Sequence, residues 1–398
     1  MTDALMKLYN RAPLAVERGV GAWLYDVEGK AYLDCVCGIA TDALGHCHPA
    51  LVAALTEQAG KIWHVSNIFR IPGQEALARR LTDASFADVA YFGNSGSEAV
   101  ECALKATRRY HSVGGAPERI DVIGFAGSFH GRTYAAINAA GNPAYVEGFG
   151  PRLPGYVQLN LDDEAAIAAA IARPTTAAVI VEPVQGEGGA RALSGEWLAR
   201  IRRQCTAAGV LLIYDEVQSG MGRTGKLFAH QWFAGIEPDL MCLAKALGGG
   251  FPVSACLATA KAARGMTIGV HGSTFGGNPL AMAVAIAAFD EISRPETLSH
   301  ARAVATDLAE RLAAVAARYP DIIVDVRGKG LLIGLQLVPN NREFMALARD
   351  QGLLVAGGGE NCVRLLPSLL LSHAEAAQAV ERVEAACAVA RAQLVQAA

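Results

Sequence analysis

The middle of the chain alternates between apolar runs and segments with helical spacing. The apolar runs that predict strands lie at 88–93, 120–126, 177–183, 210–216, 238–244 and 253–259. Between them, residues 98–110 and 195–208 repeat their apolar positions with the period of an amphipathic helix. A chain that alternates strands and helices forms a mostly parallel sheet with helices on both faces. The pattern therefore predicts an α/β fold.

The two ends of the chain have a different pattern. Short strand-like pieces at 22–25 and 31–34 flank a turn, which predicts a hairpin. After residue 295, helical segments flank strand-like runs: the helical segments are 299–318 and 373–396, and the runs are 322–337 and 362–370. We expect a large α/β domain at 50–295 and a small α+β domain formed by 1–49 together with 296–398.

The longest apolar run, residues 280–289, is too short to cross a bilayer. Asn278 and Pro279 before it are typical of an N-cap and a first helical residue, so the run is expected to be a buried helix. The N-terminus lacks the basic and then apolar pattern of a signal peptide. We expect a cytoplasmic protein with no membrane partner.

Composition narrows the choice of partners. The 398 residues contain 35 lysines and arginines against 38 aspartates and glutamates, a balance that gives no indication of a nucleic-acid partner. The nine cysteines are scattered without a pair of C-x-x-C motifs, which indicates reduced thiols. His46, Cys47 and His48 are adjacent, but neighbouring side chains on a strand point to opposite faces, so no metal site is predicted.

One stretch, residues 210–252, combines a strand, an acid and an isolated lysine. Its apolar run ends in Asp215 and Glu216, at the carboxyl end of a strand, where open α/β sheets bind ligands. Lys245 lies between small and apolar residues and is followed by glycines. A pyridoxal phosphate (PLP) site needs both groups, since the acid pairs with the pyridinium nitrogen and a desolvated lysine forms a Schiff base. A core strand with an unrelated surface lysine is the alternative.

Residues 220–225 in the same stretch match the dinucleotide-binding pattern G-x-G-x-x-G, with Asp239 downstream. The first glycine, however, lies after Asp215 and Glu216 and not in a turn between strand and helix. The two carboxylates would also repel a pyrophosphate. A PLP site is therefore favoured over a nicotinamide or flavin site.

Residues 93–98, GNSGSE, follow a predicted strand and open a predicted helix. Backbone N–H groups at such a helix start bind phosphate, aided by the helix dipole, and small residues allow a close approach. Ordinary capping is the alternative, with Ser95 as N-cap and Glu98 closing a capping box. Four small polar residues in succession favour the phosphate site.

Residues 126–133 follow another predicted strand and offer an aromatic ring and a guanidinium. Phe129 can lie flat on a cofactor ring, and Arg132 can hold a carboxylate through two hydrogen bonds. A core phenylalanine and a surface arginine would give the same pattern. The neighbouring motifs favour the functional interpretation.

Charged and hydroxyl groups occur in three later segments. Glu187, in a glycine-rich segment, can pair with an arginine of the site or be a solvated loop acid. Ser273 and Thr274 provide hydroxyls on a glycine-rich turn, a second potential phosphate contact. Arg364 lies on an otherwise apolar strand and must pair with something, most simply an anion.

These motifs, in this order, resemble those of the class III PLP-dependent aminotransferases of the ornithine and acetylornithine type. The resemblance extends over nearly the whole chain, from Tyr9 to Arg364. Six segments look most like the acetylornithine branch: WHVSNIF (63–69), SFHGRTYAA (128–136), EPVQGEGG (182–189), DEVQSGMGRTG (215–225), AKALGGGFP (244–252) and HGSTFGGNPLA (271–281). The resemblance implies the fold type I architecture of aspartate aminotransferase and a homodimer with sites at the subunit interface.

The resemblance also implies roles for the residues that would hold PLP. Lys245 would be the Schiff-base lysine, Asp215 the partner of the pyridine nitrogen and Gln218 the partner of the ring hydroxyl. Phe129 would stack on the ring, and Gly96 and Ser97 would bind the phosphate. Thr274 and Ser273, both from the other subunit, would also contact the phosphate.

Substrate-binding residues are implied in the same way. Arg364 would hold the carboxylate beside the reacting carbon of glutamate. Arg132 would hold the carboxylate far from it, which is the α-carboxylate of acetylornithine or the γ-carboxylate of glutamate. Glu187 would pair with Arg364 when the donor has no carboxylate there. Tyr9 aligns with a substrate-side tyrosine.

The implied reaction moves the terminal amino group of N-acetylornithine to 2-oxoglutarate, giving N-acetylglutamate 5-semialdehyde and glutamate, as in arginine biosynthesis. Other ω-amine donors are alternatives: ornithine, succinyl-diaminopimelate, succinylornithine or 4-aminobutyrate. An intramolecular aminomutase, which needs no 2-oxoglutarate, is a further alternative, and a non-catalytic or dinucleotide-binding α/β protein is another. The sequence leaves the acyl group of the donor open, because pocket shape decides it.

Overall fold

A computed structural model describes residues 4–397 of the chain. Their strands are β1 Val16–Val20, β2 Trp23–Asp26, β3 Ala31–Asp34, β4 Val89–Gly93, β5 Asp121–Phe125, β6 Tyr156–Leu159, β7 Thr176–Val181, β8 Val184–Gln185, β9 Arg191–Ala192, β10 Leu211–Asp215, β11 Leu240–Leu243, β12 Ser254–Ala258, β13 Ile323–Lys329, β14 Leu332–Leu337, β15 Leu353–Leu354, β16 Ala356–Gly358 and β17 Cys362–Leu365. Their α-helices are α1 Cys37–Ala40, α2 Pro49–Ala59, α3 Pro72–Asp83, α4 Gly96–Val113, α5 Tyr134–Ala140, α6 Pro143–Val146, α7 Glu164–Ile171, α8 Gly195–Ala208, α9 Ala260–Ala263, α10 Pro279–Ile292, α11 Pro295–Arg318, α12 Asn341–Asp350 and α13 His373–Ala397.

The largest sheet has seven strands in the order β4-β12-β11-β10-β7-β5-β6. Strands β11, β10, β7, β5 and β6 pair in parallel, whereas β12 runs antiparallel to both β11 and β4. The prediction of a mostly parallel α/β sheet is confirmed, and all six predicted strands are present. The pattern does not predict β6, a half-buried strand of four residues at the sheet edge.

Helices pack on both faces of this sheet. On one face, Ile180 of β7 and Ile213 of β10 share an apolar core with Leu104 of α4. On the other face, Val179 and Leu212 share a core with residues of α7 and α8. Successive side chains of a strand point to opposite faces of the sheet. Because helices cover both faces, every side chain of β7 and β10 is buried.

The predicted helices are confirmed. Residues 98–110 lie within α4, 195–208 coincide with α8, and 299–318 and 373–396 lie within α11 and α13. The run at 280–289 lies in α10, whose N-cap Asn278 accepts a hydrogen bond from the Ala281 N–H at 2.8 Å. No helix within residues 4–397 combines the length and the apolar character needed to cross a bilayer.

The two ends of the chain meet in one of the smaller sheets. The predicted hairpin of β2 and β3 forms a four-stranded sheet with β1 and with the C-terminal strand β15, which pairs in parallel with β3. Strands β13, β14, β17 and β16 form a second sheet, in which Gly334 of β14 lies opposite Arg364 of β17. The proposed division into two domains stays a prediction.

The segment at 220–225, which matches the dinucleotide pattern, forms consecutive turns and does not open an α-helix. Arg223 within it is fully buried and donates from Nη1 to the carbonyls of Leu331, at 3.1 Å, and Pro367. Burial lowers the pKa of Arg223 to about 10. The segment therefore ties the end of the large sheet to the C-terminal third of the chain, and it lacks the strand-to-helix turn that binds a pyrophosphate.

Candidate active site

A cavity of about 330 Å³ lies at the carboxyl ends of β7 and β10 and at the start of α4. Eight of the residues predicted to form the site line it: Gly96, Ser97, Phe129, Arg132, Glu187, Asp215, Gln218 and Lys245. They come from five separate segments of the chain. The position agrees with the rule that open α/β sheets bind ligands beyond the carboxyl ends of their strands.

The start of α4 forms one wall of the cavity. Ser95 is the N-cap and accepts a hydrogen bond from the Glu98 N–H at 3.4 Å. The Glu98 carboxylate accepts from the Asn94 N–H at 2.8 Å, so it closes the turn one residue earlier than a capping box would. A Cβ at Gly96 would lie 2.8 Å from Val217, so glycine keeps this surface open. The first N–H groups of the helix are suited to bind an anion such as a phosphate.

Lys245 follows β11 and has a positive φ of 47°, a backbone conformation that is rare for residues other than glycine. Desolvation in the cavity lowers the pKa of Lys245 to about 8, against the opposing attraction of Glu187. At pH 7 roughly a tenth of this amine is therefore uncharged, far more than of an exposed lysine. An uncharged amine is what a covalent bond to an aldehyde requires.

Asp215 is a buried carboxylate at the end of β10. It accepts hydrogen bonds from Nδ1 of His130 at 2.8 Å and from the Val217 N–H at 3.0 Å. Burial alone would lower the pKa of His130, but the hydrogen bond and charge of Asp215 raise it above its usual value. The carboxylate is thus held in one orientation, and His130 partly balances its charge.

Arg132, Phe129 and Tyr145 pack against one another beside the cavity, which Arg132 and Phe129 line. The Arg132 guanidinium lies 3.9 Å from the ring centroid of Tyr145 and 5.4 Å from that of Phe129. The two rings meet edge to face, with centroids 6.0 Å apart. This stacking fixes the guanidinium through its faces and leaves its N–H groups free to bind a carboxylate.

Arg364 is 1% exposed and contacts two residues of the cavity lining, Glu187 and Gln218. Its Nη2 contacts Oε1 of Glu187 at 2.7 Å, and its Nη1 donates to Oε1 of Gln218 at 3.3 Å. Its Nε also donates to the Gly357 carbonyl at 2.9 Å. Nε2 of Gln218 is buried and lacks a hydrogen-bond partner within the described residues, so it can serve a ligand.

The other predicted residues lie outside the cavity lining. Ser273 accepts a hydrogen bond at 3.1 Å from Asn94, which does line the cavity. Thr274 is exposed on the same turn, and Tyr9 is 74% exposed on the N-terminal segment. Within a single chain, the structure does not bring Thr274 and Tyr9 to the site.

Sequence reasoning assigns no role to four residues that shape the site. His130 pairs with Asp215, Val217 and Glu182 line the cavity, and Tyr145 stacks on Arg132. The position of His130 next to Phe129 is the one signal available in the sequence. The partners lie too far along the chain for spacing to reveal the contacts.

The residues present fit PLP. They provide an anion site at a helix start, an amine with a lowered pKa, a buried carboxylate and an aromatic face around one cavity. The Nε2 atoms of Gln218 and His130, which have no hydrogen-bond partner within residues 4–397, are buried polar groups in the same region. Each would be costly without a ligand or water.

Comparisons with known proteins agree with this assignment. Residues 6–387 match the family profile described as Aminotransferase class-III. Acetylornithine aminotransferase 2 of Caulobacter vibrioides is 65% identical over 388 residues, which cover 98% of this chain and 96% of that protein. The structure of N-acetylornithine aminotransferase from Stenotrophomonas maltophilia matches with a TM-score of 0.85 and 37% identity, over 97% of this chain and 98% of that one. Ornithine aminotransferase from Toxoplasma gondii matches with a TM-score of 0.93 and 30% identity, over 98% and 94%.

The Lys245→Ala variant is expected to bind PLP without a covalent bond and to lose roughly 10²–10⁴-fold in turnover, because Lys245 is the amine that lines the cavity. Borohydride reduction followed by peptide mass analysis should label Lys245 in the wild-type protein and no lysine in the variant. Covalent capture by the wild-type apoenzyme should slow below pH 8, as the amine becomes protonated. Lys261→Ala, at an exposed lysine of α9, is the control. Normal turnover, or a label on another lysine, would contradict the assignment.

Proposed function

We propose that this chain, which belongs to the class III aminotransferases, transfers the terminal amino group of N-acetylornithine to 2-oxoglutarate. The products are N-acetylglutamate 5-semialdehyde and glutamate. Enzymes of this family are PLP-dependent transaminases. The Caulobacter and Stenotrophomonas relatives carry acetylornithine in their names and cover nearly the whole chain, which supports this donor.

The residues of the cavity would hold PLP by complementary chemistry. Gly96 and Ser97 would bind its phosphate, Phe129 would contact its ring, Gln218 its hydroxyl and Asp215 its ring nitrogen. PLP, when bound, supplies an electron sink for the negative charge that develops at the reacting carbon. The hydrogen bonds from His130 and Val217 keep the Asp215 carboxylate aligned with its target.

Lys245 is proposed to move the proton. Its Nζ, once it is not covalently bound, can accept a proton from the reacting carbon of the donor and later return it to the acceptor. A base works best when its pKa is near the operating pH, and desolvation brings the pKa of Lys245 to about 8. The same amine would thus serve both half-reactions.

One observation supports an ω-amine donor most directly. Nη2 of the buried Arg364 lies 2.7 Å from Oε1 of Glu187, so the carboxylate neutralises the guanidinium. Glutamate has a carboxylate on its reacting carbon, which Arg364 would bind. Acetylornithine has only hydrogen there, so a free Arg364 would face a methylene group at high cost. Glu187 removes this cost by pairing with Arg364 while the ω-amine donor is bound. In either substrate Arg132 would bind the distant carboxylate.

We further propose a homodimer in which Thr274 and Ser273 reach the neighbouring subunit's phosphate. The turn that carries them is bordered by large exposed apolar side chains, which are Trp63, Ile68, Phe69 and Phe275. The segment with Trp63 is tied to the turn through Asn67, which donates to the Gly276 carbonyl at 2.9 Å. Several large exposed apolar side chains around one turn are suited to contact a second copy of the chain. Tyr9, also exposed, would complete the substrate side of a site.

The cellular location is proposed to be the cytoplasm. All nine cysteines are free thiols, and eight of them are buried. Free thiols on this scale are typical of a reducing compartment.

The reaction is tested by a panel of amine donors. Acetylornithine is expected to give the highest kcat/KM, with ornithine and 4-aminobutyrate lower by roughly 10-fold or more. Ornithine lacks the acyl group and 4-aminobutyrate lacks the whole acylamino group, and a lost contact of this kind costs at least about 1.4 kcal/mol. Activity should require 2-oxoglutarate and show ping-pong kinetics. Turnover without 2-oxoglutarate would favour an aminomutase. A higher kcat/KM for ornithine would show that ornithine, and not acetylornithine, is the preferred donor.

The Glu187→Ala variant is expected to improve the half-reaction with glutamate relative to that with acetylornithine, by about 1–3 kcal/mol of transition-state binding. The reason is that Arg364 would remain open in the variant. The cofactor's absorbance follows each half-reaction and gives kcat/KM for both. Glu360→Ala, which removes a nearby exposed acid paired with Arg327, is the control. Equal losses for both substrates would mean that Glu187 only supports its loop.

Complementation between subunits tests the position of Thr274. Thr274→Ala is expected to weaken PLP binding by about 10-fold, the effect of one hydrogen bond to a charged group. At a PLP concentration where this variant and Lys245→Ala are each inactive, mixed dimers should regain part of the activity through one intact site. Thr267→Ala, at an exposed threonine nearby, serves as the control. Absence of recovery despite proven subunit exchange would place Thr274 at its own chain's site.

A further inference from the structure

Glu182 connects two loops of the site through a single carboxylate. It follows β7, is 5% exposed and lines the cavity. Its Oε1 accepts a hydrogen bond from the Phe129 N–H at 2.8 Å, and its Oε2 accepts one from the Gly186 N–H at 3.2 Å. The first amide belongs to the loop after β5 and the second to the loop after β8, the short strand that follows β7. Each carboxylate oxygen therefore holds a different loop.

The two loops carry different parts of the proposed machinery. The loop after β5 carries Phe129 and Arg132, which would contact the cofactor ring and the distant carboxylate. The loop after β8 carries Glu187, the proposed partner of Arg364, directly after Gly186. Gly186 and Glu187 are consecutive residues, so a shift of the Gly186 amide would move the backbone that carries Glu187.

A second, uncharged contact joins the same loops. Nε2 of Gln185 donates to the carbonyl of Ala126 and to Oγ of Ser128, both at 3.0 Å. This contact can keep the loops together when Glu182 is changed, so a Glu182 variant is expected to fold. What Glu182 adds is a charged acceptor for each amide, and hydrogen bonds to a charged group are about twice as strong as neutral ones.

The charges around Glu182 make this contact sensitive to protonation. Burial and the charge of Asp215 raise the pKa of Glu182 to about 7, although His130 opposes the shift. The Lys245 amine also faces it across the cavity. A neutral carboxyl group has one hydroxyl oxygen, which is a poorer acceptor for an N–H group. The longer hydrogen bond, to Gly186, is the weaker of the two and would be lost first.

We propose that Glu182 is a positioning residue that couples the loop of Phe129 and Arg132 to the loop of Glu187 and thereby sets the balance between the two substrates. The inference rests on the proposed function, since it deepens the role of Glu187. With the carboxylate in place, the Gly186 amide is held and Glu187 stays against Arg364, which favours the ω-amine donor. Without it, the loop loosens and the balance moves toward glutamate.

The first test needs no substrate and no cofactor. In Glu182→Gln apoenzyme, hydrogen–deuterium exchange of peptides covering 183–190 should rise about 3- to 10-fold, as the loss of one buried hydrogen bond allows. Glu216→Gln is the matched control, because Glu216 is equally buried and accepts from the Ala229 and His230 N–H groups. Its exchange should rise around residues 228–231 and stay unchanged at 183–190. Unchanged exchange at 183–190 in Glu182→Gln would overturn the proposal.

The second test measures the substrate balance. Glu182→Gln should raise kcat/KM for the glutamate half-reaction relative to acetylornithine by about 3- to 10-fold. The effect should be absent when Glu187→Ala is already present, because both changes act through the same side chain. Additive effects in the double variant would overturn the coupling.

The wild-type protein provides a measurement that does not depend on a folded variant. Exchange at 183–190, corrected for intrinsic rates, should increase between pH 8 and pH 6 as Glu182 becomes protonated, and the substrate balance should shift toward glutamate. Glu182→Gln should lose this pH dependence. A pH-independent wild type would overturn the proposal. Failure of the wild-type enzyme to use acetylornithine, with the exchange results as expected, would instead fault the proposed function alone.

Discussion

The site depends on burying three carboxylates at one edge of a parallel sheet. Glu182 follows β7, and Asp215 and Glu216 end or follow β10, the next strand in the sheet. A buried charge without partners costs several kcal/mol, so each carboxylate must be satisfied. Two backbone N–H groups and a histidine satisfy Glu216, a histidine and an N–H satisfy Asp215, and two N–H groups satisfy Glu182. The loops that build the cavity are shaped by these requirements.

Sequence patterns predict the scaffold because local physics determines it. The run that ends in Asp215 is apolar throughout, since both faces of β10 are covered, and this makes the strand and its functional end visible together. The cap of α10 is local as well, and Asn278 occupies it as expected. Ser95 caps α4, as the alternative interpretation of that segment had it. The isolated setting of Lys245 is likewise a local feature. It identifies the one lysine among the cavity-lining residues.

Other features escape prediction because they depend on partners far apart in the sequence. His130 and Asp215 are 85 residues apart, and Glu182 lies 53 residues from the amide of Phe129. No periodicity links such positions, and a glutamate at a strand end gives no sign of which N–H groups it will accept. Thr274 raises a different problem, because its proposed partner lies on another chain. In the single chain Thr274 and the neighbouring Phe275 are both exposed, which is compatible with the proposed contact to a second subunit.

The asymmetry of the Arg364–Glu187 pair determines which member can move. Arg364 is 1% exposed and is held from three sides, by Glu187, by the Gly357 carbonyl and by Gln218. Removing a guanidinium from such a site would leave several buried groups unpaired at once. The Glu187 side chain is 34% exposed and lies on a loop of glycines, so water can replace its partner when it swings out. The cationic end of the pair is therefore fixed in place, and Glu187 is the member that can leave, as the proposed function requires.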